Sequence, residues 1–339
     1  MSWLDRYNKN KQKLIDANLY DPMQEHDACG VGFIASIDGK PNRRVVTSGI
    51  EALKAVWHRG AIDADGKTGD GAGIHIEIPK AFFEEEIKKT GHEMMQGDFG
   101  IGMMFLPRND YSALEKCRTI VESELIDHGY FIYGWRQVPV DTSVIGKKAN
   151  MTRPEIEQVM FVNNKERSEK EDLDKELFLI RRRIEKRILK IQISDFYICS
   201  LSFKSVIYKG LFLAEELEVF YPDLQDKNFV SSFAIFHQRY STNTFPSWAL
   251  AQPFRALAHN GEINTISGNS NWMRSHENRI ASELFGEDSE QVKPIIIRGS
   301  SDSSALDAAF ELFVRAGRSA PLTKTLLMPE AWSKRSKLL

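Results

Sequence analysis

Short apolar segments without helical periodicity are the feature that most limits how this chain can fold. Polar turns separate them, and they predict strands at 30–37, 74–79, 100–107, 130–140, 196–203, 206–210 and 233–242. Apolar residues three and four apart predict helices at 46–57, 80–90, 110–126, 176–189 and 304–316. Strands and helices come in clusters instead of a strict alternation, which predicts an α+β fold of packed layers.

Three of these assignments make specific claims about neighbouring residues. Thr47 or Ser48 is predicted to cap the helix at 46–57. The segments 196–203 and 206–210 are predicted to pair with each other around a short turn. The segment 257–264 is predicted to form a strand and a turn that lead into a helix.

The composition is that of a globular protein without a strong charge bias. The chain has 339 residues, of which 42% are hydrophobic and 27% are charged, and its net charge is −2 at pH 7. That length allows one large domain or two ordinary ones. The small net charge excludes a global nucleic-acid-binding surface. No apolar run reaches the roughly 18 residues that a membrane span needs.

The first 28 residues differ from a secretory signal because charged residues stand where an apolar core would lie. The three cysteines, Cys29, Cys117 and Cys199, are too few and too far apart for a disulfide framework or a zinc site. We therefore expect a cytoplasmic protein without a bound metal.

Cys29 stands alone at the head of the first predicted strand, before Gly-Val-Gly-Phe. One interpretation is a small buried hydrophobic residue. The other is a nucleophile, whose thiol needs a nearby base because its ordinary pKa is about 8.5. A free α-amine titrates at about 7.7–8.0 and can serve as that base. This second interpretation requires cleavage of the chain between Ala28 and Cys29.

Arg239 follows the last predicted strand, where the chain enters a turn-rich loop. A guanidinium at this place can hold a carboxylate through two parallel hydrogen bonds. A surface salt bridge is the alternative.

Asn260 and Gly261 form a dipeptide with two possible functions. It can make a hairpin turn, or its side-chain amide and backbone N–H can form an oxyanion hole. Asp302 likewise can cap a helix or receive an ammonium group of the substrate.

Five motifs occur in the order seen in glutamate synthases. They are CGVGFIA (29–35), HRGAIDADGKTGDGAG (58–73), HQRYSTNTFPSW (237–248), AHNGEINTISGNSNWM (258–273) and GSSDSSALD (299–307). Together with RAGRS…LMPEAW (315–332), they extend the similarity over residues 21–332. The chain thus resembles the class II glutamine amidotransferase region at the N-terminus of the large subunit in that family.

The resemblance implies an Ntn-hydrolase fold, a four-layer αββα sandwich of two antiparallel sheets. It implies a propeptide at 1–28 and an amidotransferase domain at 29–339 that hydrolyses L-glutamine to L-glutamate and ammonia. Cys29 would be the nucleophile, with its freed amine as the base and a thioester as the intermediate. Asn260 and Gly261 would form the oxyanion hole, Arg239 would bind the α-carboxylate and Asp302 the α-ammonium.

The resemblance also implies that His58, Arg59 and Gly60 lie near the active site. In the complete enzyme it implies FMN, an iron–sulfur cluster and transfer of ammonia to 2-oxoglutarate. This chain lacks the motifs for those groups, so we expect no cofactor within it. The expected partners are L-glutamine, synthase domains or a synthase subunit, and a small electron-transfer subunit or ferredoxin. We interpret the chain as a part of a longer protein or a truncated reading frame, with a separate amidotransferase subunit as the alternative.

Two other functions remain open at this point. The chain can be a different N-terminal-cysteine amidohydrolase, or an inactive truncated fragment. A basic segment, RRRIEKRILK (181–190), raises a further possibility of nucleic-acid or membrane binding. Its arginines alternate with Ile184, Ile188 and Leu189 at core-facing spacing, which favours the solvated face of a buried helix.

Overall fold

The structure is a computed structural model, and it describes residues 3–18, 21–23, 30–164, 172–239, 244–263, 265–280, 285–297 and 299–328. Strands and α-helices within these residues are numbered in chain order. The strands are β1 (Val31–Ala35), β2 (Ala72–Glu77), β3 (Asp98–Leu106), β4 (Phe131–Gln137), β5 (Glu155–Asn163), β6 (Tyr197–Ser202), β7 (Ser205–Gly210) and β8 (Phe233–Gln238). The helices are α1 (Trp3–Asp16), α2 (Arg43–Ala55), α3 (Lys80–Lys89), α4 (Tyr111–Asp127), α5 (Lys147–Met151), α6 (Leu173–Lys190), α7 (Leu217–Phe220), α8 (Ile266–Glu277), α9 (Asp302–Arg315) and α10 (Ala320–Leu327).

The strands form two four-stranded antiparallel sheets, in the orders β1-β8-β2-β7 and β4-β5-β3-β6. In the first sheet Val31 lies opposite His237, and Ala72 lies opposite both Gln238 and Gly210. Because neighbouring strands run in opposite directions, the start of β1, the end of β8 and the start of β2 meet at one edge of the sheet. The candidate site is built at this edge.

Helices cover the sheets through buried apolar faces. The helices α4 and α6 pack on the second sheet, where Val121 and Ile184 join Met104 and Phe161 in one apolar cluster. The helix α2 packs against β1 and β8. These layers confirm the predicted α+β class and the sandwich of two antiparallel sheets.

A buried hydrogen bond between two side chains joins the two sheets. The Gln158 side chain on β5 donates to the hydroxyl of Tyr208 on β7 at 2.8 Å, and both residues are fully buried. Each side chain has one further partner, since Gln158 accepts from Arg136 and Tyr208 donates to Asp223, as buried polar groups require. The pair therefore adds a polar contact to the apolar packing between the sheets.

Two of the local predictions are wrong. The side chain of Asn42, and not that of Thr47 or Ser48, caps α2 by accepting the N–H of Val45. The strands β6 and β7 do not pair with each other, since they belong to different sheets. The Ser202 hydroxyl accepts the N–H groups of Lys204 and Ser205, at 2.9 and 3.2 Å, and turns the chain from one sheet into the other.

The basic helix α6 also departs from its prediction. Ile184 and Ile188 are buried as expected, but Arg181 and Arg182 are buried too, and Leu189 is 56% exposed. Arg181 pairs with Glu185 and Glu311, and Arg182 pairs with Glu185. The two arginines form an internal ion-pair network instead of a solvated face.

Candidate active site

The site begins at Gly30, the first described residue after the leader; the predicted nucleophile Cys29 lies outside the described residues. The carbonyl of Gly30 accepts the N–H of Gln238 at 2.6 Å. A Cβ atom on Gly30 would lie 2.4 Å from the Gln238 carbonyl oxygen and 3.2 Å from Nδ2 of Asn260. Only glycine fits there, and the Asn260 amide lies directly beside residue 30.

Arg239 stands at the end of β8, where its N–H donates to the carbonyl of Gly71 at 2.8 Å. Its side chain donates to Oγ1 of Thr244 at 3.0 Å, and the residue is only 6% exposed. Burial lowers the pKa of Arg239, while the negative charges of Asp70 and Asp302 oppose that shift. The surface-salt-bridge interpretation is therefore wrong, and the guanidinium is a buried cation at the sheet edge.

Asp302 is the first residue of α9, but it does not cap the helix. The cap is Ser301, whose side chain accepts the N–H of Ser304. The Asp302 carboxylate instead accepts the N–H of Ile263 at 3.0 Å and that of Ser303 at 2.7 Å. It ties the segment before α8 to the start of α9 and puts a negative charge near Arg239.

The Asn260-Gly261 dipeptide does not make a hairpin turn. In the described residues no strand flanks it, so the predicted strand at 257–264 is wrong. The backbone here is held by side chains: the carbonyl of His259 accepts from His237 Nε2 at 2.9 Å and from Gln252 Nε2 at 3.1 Å. The N–H of Gly261 donates to Nδ1 of His259 at 3.1 Å.

The two histidines of the site are neutral near pH 7. Burial lowers the pKa of His237 to about 4, and burial also lowers the pKa of His259 while Asp302 opposes the shift. Because Nδ1 of His259 accepts a hydrogen bond, the proton of that ring lies on Nε2. The Asn260 side chain lies next to the His237 ring and interacts with it.

Comparison with known proteins identifies the family of this arrangement. The family described as "Glutamine amidotransferases class-II" matches residues 29–339. The chain belongs to this family.

Several curated relatives of this amidotransferase domain carry glutamate synthase names. The glutamate synthase [NADPH] large chain of Azospirillum brasilense is 60% identical over 325 residues, which are 96% of this chain and 21% of that protein. The large chain of the same name from Bacillus subtilis is 41% identical, over 94% of this chain and 21% of its own length. A ferredoxin-dependent glutamate synthase of Pyropia yezoensis is 44% identical, over 91% of this chain and 20% of its own length. The chain thus spans about a fifth of the relatives it matches.

A short 3₁₀ helix, Trp57–Arg59, carries His58 and Arg59, and the Gly60 that ends it reaches the site. A Cβ atom on Gly60 would lie 2.2 Å from Nε2 of Gln238, at the end of β8. The side chains of His58 and Arg59 are exposed. The structure therefore brings Gly60 against the sheet edge, and it leaves the other two in solvent.

Two kinds of feature were sought in the described part of the amidotransferase. Nowhere in it do three His, Cys, Asp or Glu side chains come together as metal ligands. None of its helices has the length and apolar character of a membrane span.

Two residues that shape the site, His237 and Gln252, were not predicted from the sequence. Both contact the backbone of His259, from which His237 is 22 residues away in the sequence and Gln252 is 7 residues away. His237 stands in the quoted motif HQR, beside Arg239. Gln252 lies between the quoted motifs and precedes Pro253, and nothing in its local sequence indicates a partner.

Proposed function

We propose that this domain hydrolyses L-glutamine to L-glutamate and ammonia, and that a complete synthase passes the ammonia to 2-oxoglutarate. The observation that carries the proposal is the Asn260 amide beside Gly30, the residue that follows Cys29. An amide donor next to the nucleophile is what an acyl-transfer site needs, because negative charge develops on the carbonyl oxygen.

In the proposed reaction, Sγ of Cys29 forms a bond to the amide carbon of glutamine and its proton moves to the freed α-amine of the same residue. The side-chain amide of Asn260 and the N–H of Gly261 stabilise the oxyanion. The Gly261 N–H first gives up its hydrogen bond to Nδ1 of His259 and then donates to the oxyanion. Collapse breaks the C–N bond, and the proton leaves with ammonia. Water then hydrolyses the thioester and releases glutamate.

Opposite charges in one region support glutamine as the substrate. Arg239 is a buried cation that can bind the α-carboxylate, and Asp302 is an anion that can bind the α-ammonium. A free amino acid carries both complementary charges. A linear amide without them leaves a buried guanidinium without its substrate partner, which disfavours the other amidohydrolases.

The domain boundaries are part of the proposal. We assign residues 1–28, which include α1, to a removable propeptide and residues 29–339 to the amidotransferase domain. The family match that begins at residue 29 supports this division. Under the proposed division, Cys29 is the first residue of the mature domain.

We place the FMN and the iron–sulfur cluster of a complete synthase outside this chain. Clusters of the [2Fe–2S] and [4Fe–4S] types are held by four cysteine thiolates, whereas this chain has three cysteines, which lie far apart in the sequence. These thiols do not fit a cluster. The proposed partners are therefore synthase domains or a synthase subunit, with NADPH or ferredoxin as electron source as in the names of the relatives, in the cytoplasm.

The test combines intact mass with covalent labelling. We expect the purified chain to lose the mass of residues 1–28, and a glutamine-analogue electrophile to add one label at Cys29. Cys29→Ala should keep the leader and take no label, whereas Cys117→Ala, at a buried thiol, should behave like the wild type. An active chain that keeps residue 28, a label at another site, or equal hydrolysis of simple N-acyl amides would refute the proposal.

A further inference from the structure

The Gln252 side chain holds the backbone that carries the proposed oxyanion hole. Its Nε2 donates to the carbonyl of His259, and its Oε1 accepts the N–H of the same residue, both at 3.1 Å. Gln252 is 4% exposed. We infer that Gln252 is a positioning residue for glutamine hydrolysis, an inference that rests on the proposed function.

The two bonds act like those of a neighbouring strand, because they satisfy both backbone groups of His259. His237 adds a third bond to the same carbonyl at 2.9 Å. His259 immediately precedes Asn260 and Gly261 in the sequence. The position of the Asn260 amide therefore depends on how firmly His259 is held.

Gln252 is itself fixed by the sheet. The buried ammonium of Lys209 on β7 donates to the carbonyls of Ala249 and Ala251, at 2.9 and 2.7 Å. The carbonyl oxygen of Gln252 would lie 2.6 Å from a Cβ atom on Gly73 of β2, so the segment is seated directly on the strand. Contacts with β2 and β7 thus hold the segment of Gln252, and Gln252 in turn holds the backbone of the proposed oxyanion hole.

A donor contributes to catalysis only when it is aimed at the oxyanion before the charge develops. Displacement of a catalytic group by about 1 Å can cost about 10²-fold in rate. Gln252 touches neither Arg239 nor Asp302 through a hydrogen bond in the described residues. Its loss should therefore lower kcat and leave KM nearly unchanged.

The experiment compares Gln252→Met, which loses both bonds, with Gln252→Glu, which keeps an acceptor for the His259 N–H. Gln158→Met is the matched control, since Gln158 is also buried and hydrogen-bonded but lies on β5. In the full chain we expect kcat to fall about tenfold or more in Gln252→Met, less in Gln252→Glu and not in the control. A kcat above half of the wild-type value in Gln252→Met overturns the inference, as does an equal loss in the control.

A double-mutant cycle with Asn260→Ala separates positioning from general destabilisation. Loss of the Asn260 donor alone should lower kcat about 10²–10³-fold. In that background Gln252→Met should cost much less than it does alone, because both changes act on the same hole. Additive losses would contradict the inference. If Gln252→Met does not fold, the same cycle with Gln252→Glu decides.

Amide hydrogen exchange gives a readout that does not depend on activity. Exchange at His259 should accelerate in Gln252→Met and change less in Gln252→Glu and Gln158→Met. If the wild-type chain hydrolyses no glutamine, the proposed function fails, and exchange still tests the hold on residues 259–261. Unchanged exchange at His259 in Gln252→Met overturns the inference in either case.

Discussion

Asp302 uses its two carboxylate oxygen atoms for different partners. Oδ2 accepts the N–H of Ile263, and Oδ1 accepts the N–H of Ser303. Both contacts are structural, yet the charge of the carboxylate still acts on Arg239 and His259. A single residue thus orders the loop and supplies the anion that we assign to the substrate ammonium.

Asp302→Asn removes the charge and one of the two acceptor oxygens, so a comparison of two substrates is needed to separate the roles. We expect the KM for glutamine to rise about tenfold or more, since hydrogen bonds to charged groups contribute about 1.5–3 kcal/mol. The KM for glutaramate, which has no α-amino group, should change little. Steady-state kinetics with both substrates measure this contrast.

Asp110→Asn is the control, because Asp110 caps α4 and contributes no hydrogen bond to the site. If Asp302→Asn raises both KM values equally, or neither, Asp302 does not bind the ammonium.

The residues of the site differ in how far sequence predicts them. Side-chain chemistry predicts Arg239 and Asp302 as partners of a carboxylate and an ammonium group and Asn260 as an oxyanion donor, and the structure places all three around one sheet edge. Gln252 and His237 act on a backbone carbonyl that belongs to another segment. Such a contact depends on tertiary packing, so no local pattern indicates it.

At the scale of elements, two glycines within helices predict opposite effects. A Cβ atom on Gly49 of α2 would lie 2.8 Å from Cβ of Ala234 on β8, whereas one on Gly268 of α8 meets nothing within 4 Å. Alanine normally stabilises a helix relative to glycine by about 0.5–1 kcal/mol. Because α2 lies so close to the sheet, alanine at residue 49 should destabilise the protein instead.

We expect Gly49→Ala to lower the free energy of unfolding by about 1–3 kcal/mol through overpacking. Gly268→Ala should raise it by about 0.5–1 kcal/mol. Urea unfolding of both variants measures the difference. Stabilisation by both changes would show that α2 can move away from β8 at little cost.

Helix ends were predictable where an apolar face alternates with solvent. The predicted helices at 80–90 and 110–126 end within a residue of α3 and α4. Strand β5 was not predicted, because it is buried on both faces and includes Glu157 and Gln158. Arg118 neutralises Glu157, and Tyr208 satisfies Gln158. Only tertiary packing, of α4 in one case and of the other sheet in the second, supplies these partners.

At the scale of the whole molecule, Lys209 links the sheets to the site. Its ammonium lies over the rings of Tyr197 on β6 and Phe254, 4.6 and 4.9 Å from their centres. It is fully buried, and burial lowers its pKa to about 7. Its ordinary pKa in an unfolded chain is about 10.4.

This difference in pKa makes the stability depend on pH. Between about pH 7 and 10 the unfolded chain binds more protons at Lys209 than the folded chain does, so the free energy of unfolding should rise with pH. The slope from one such group is at most about 1.4 kcal/mol per pH unit. Lys209→Met removes this contribution together with the hydrogen bonds.

Urea unfolding of the wild type and Lys209→Met from pH 5.5 to 9.5 measures the effect. The free energy of unfolding of the wild type, minus that of Lys209→Met, should be constant below about pH 6, where Lys209 is protonated in both the folded and the unfolded state. Above pH 7 this difference should grow with pH. The neutral amine keeps two N–H donors, enough for the carbonyls of Ala249 and Ala251. Deprotonation therefore removes the cost of a buried charge without releasing the segment that holds Gln252. If this difference in the free energy of unfolding stays constant up to pH 9.5, Lys209 keeps its proton in the folded protein.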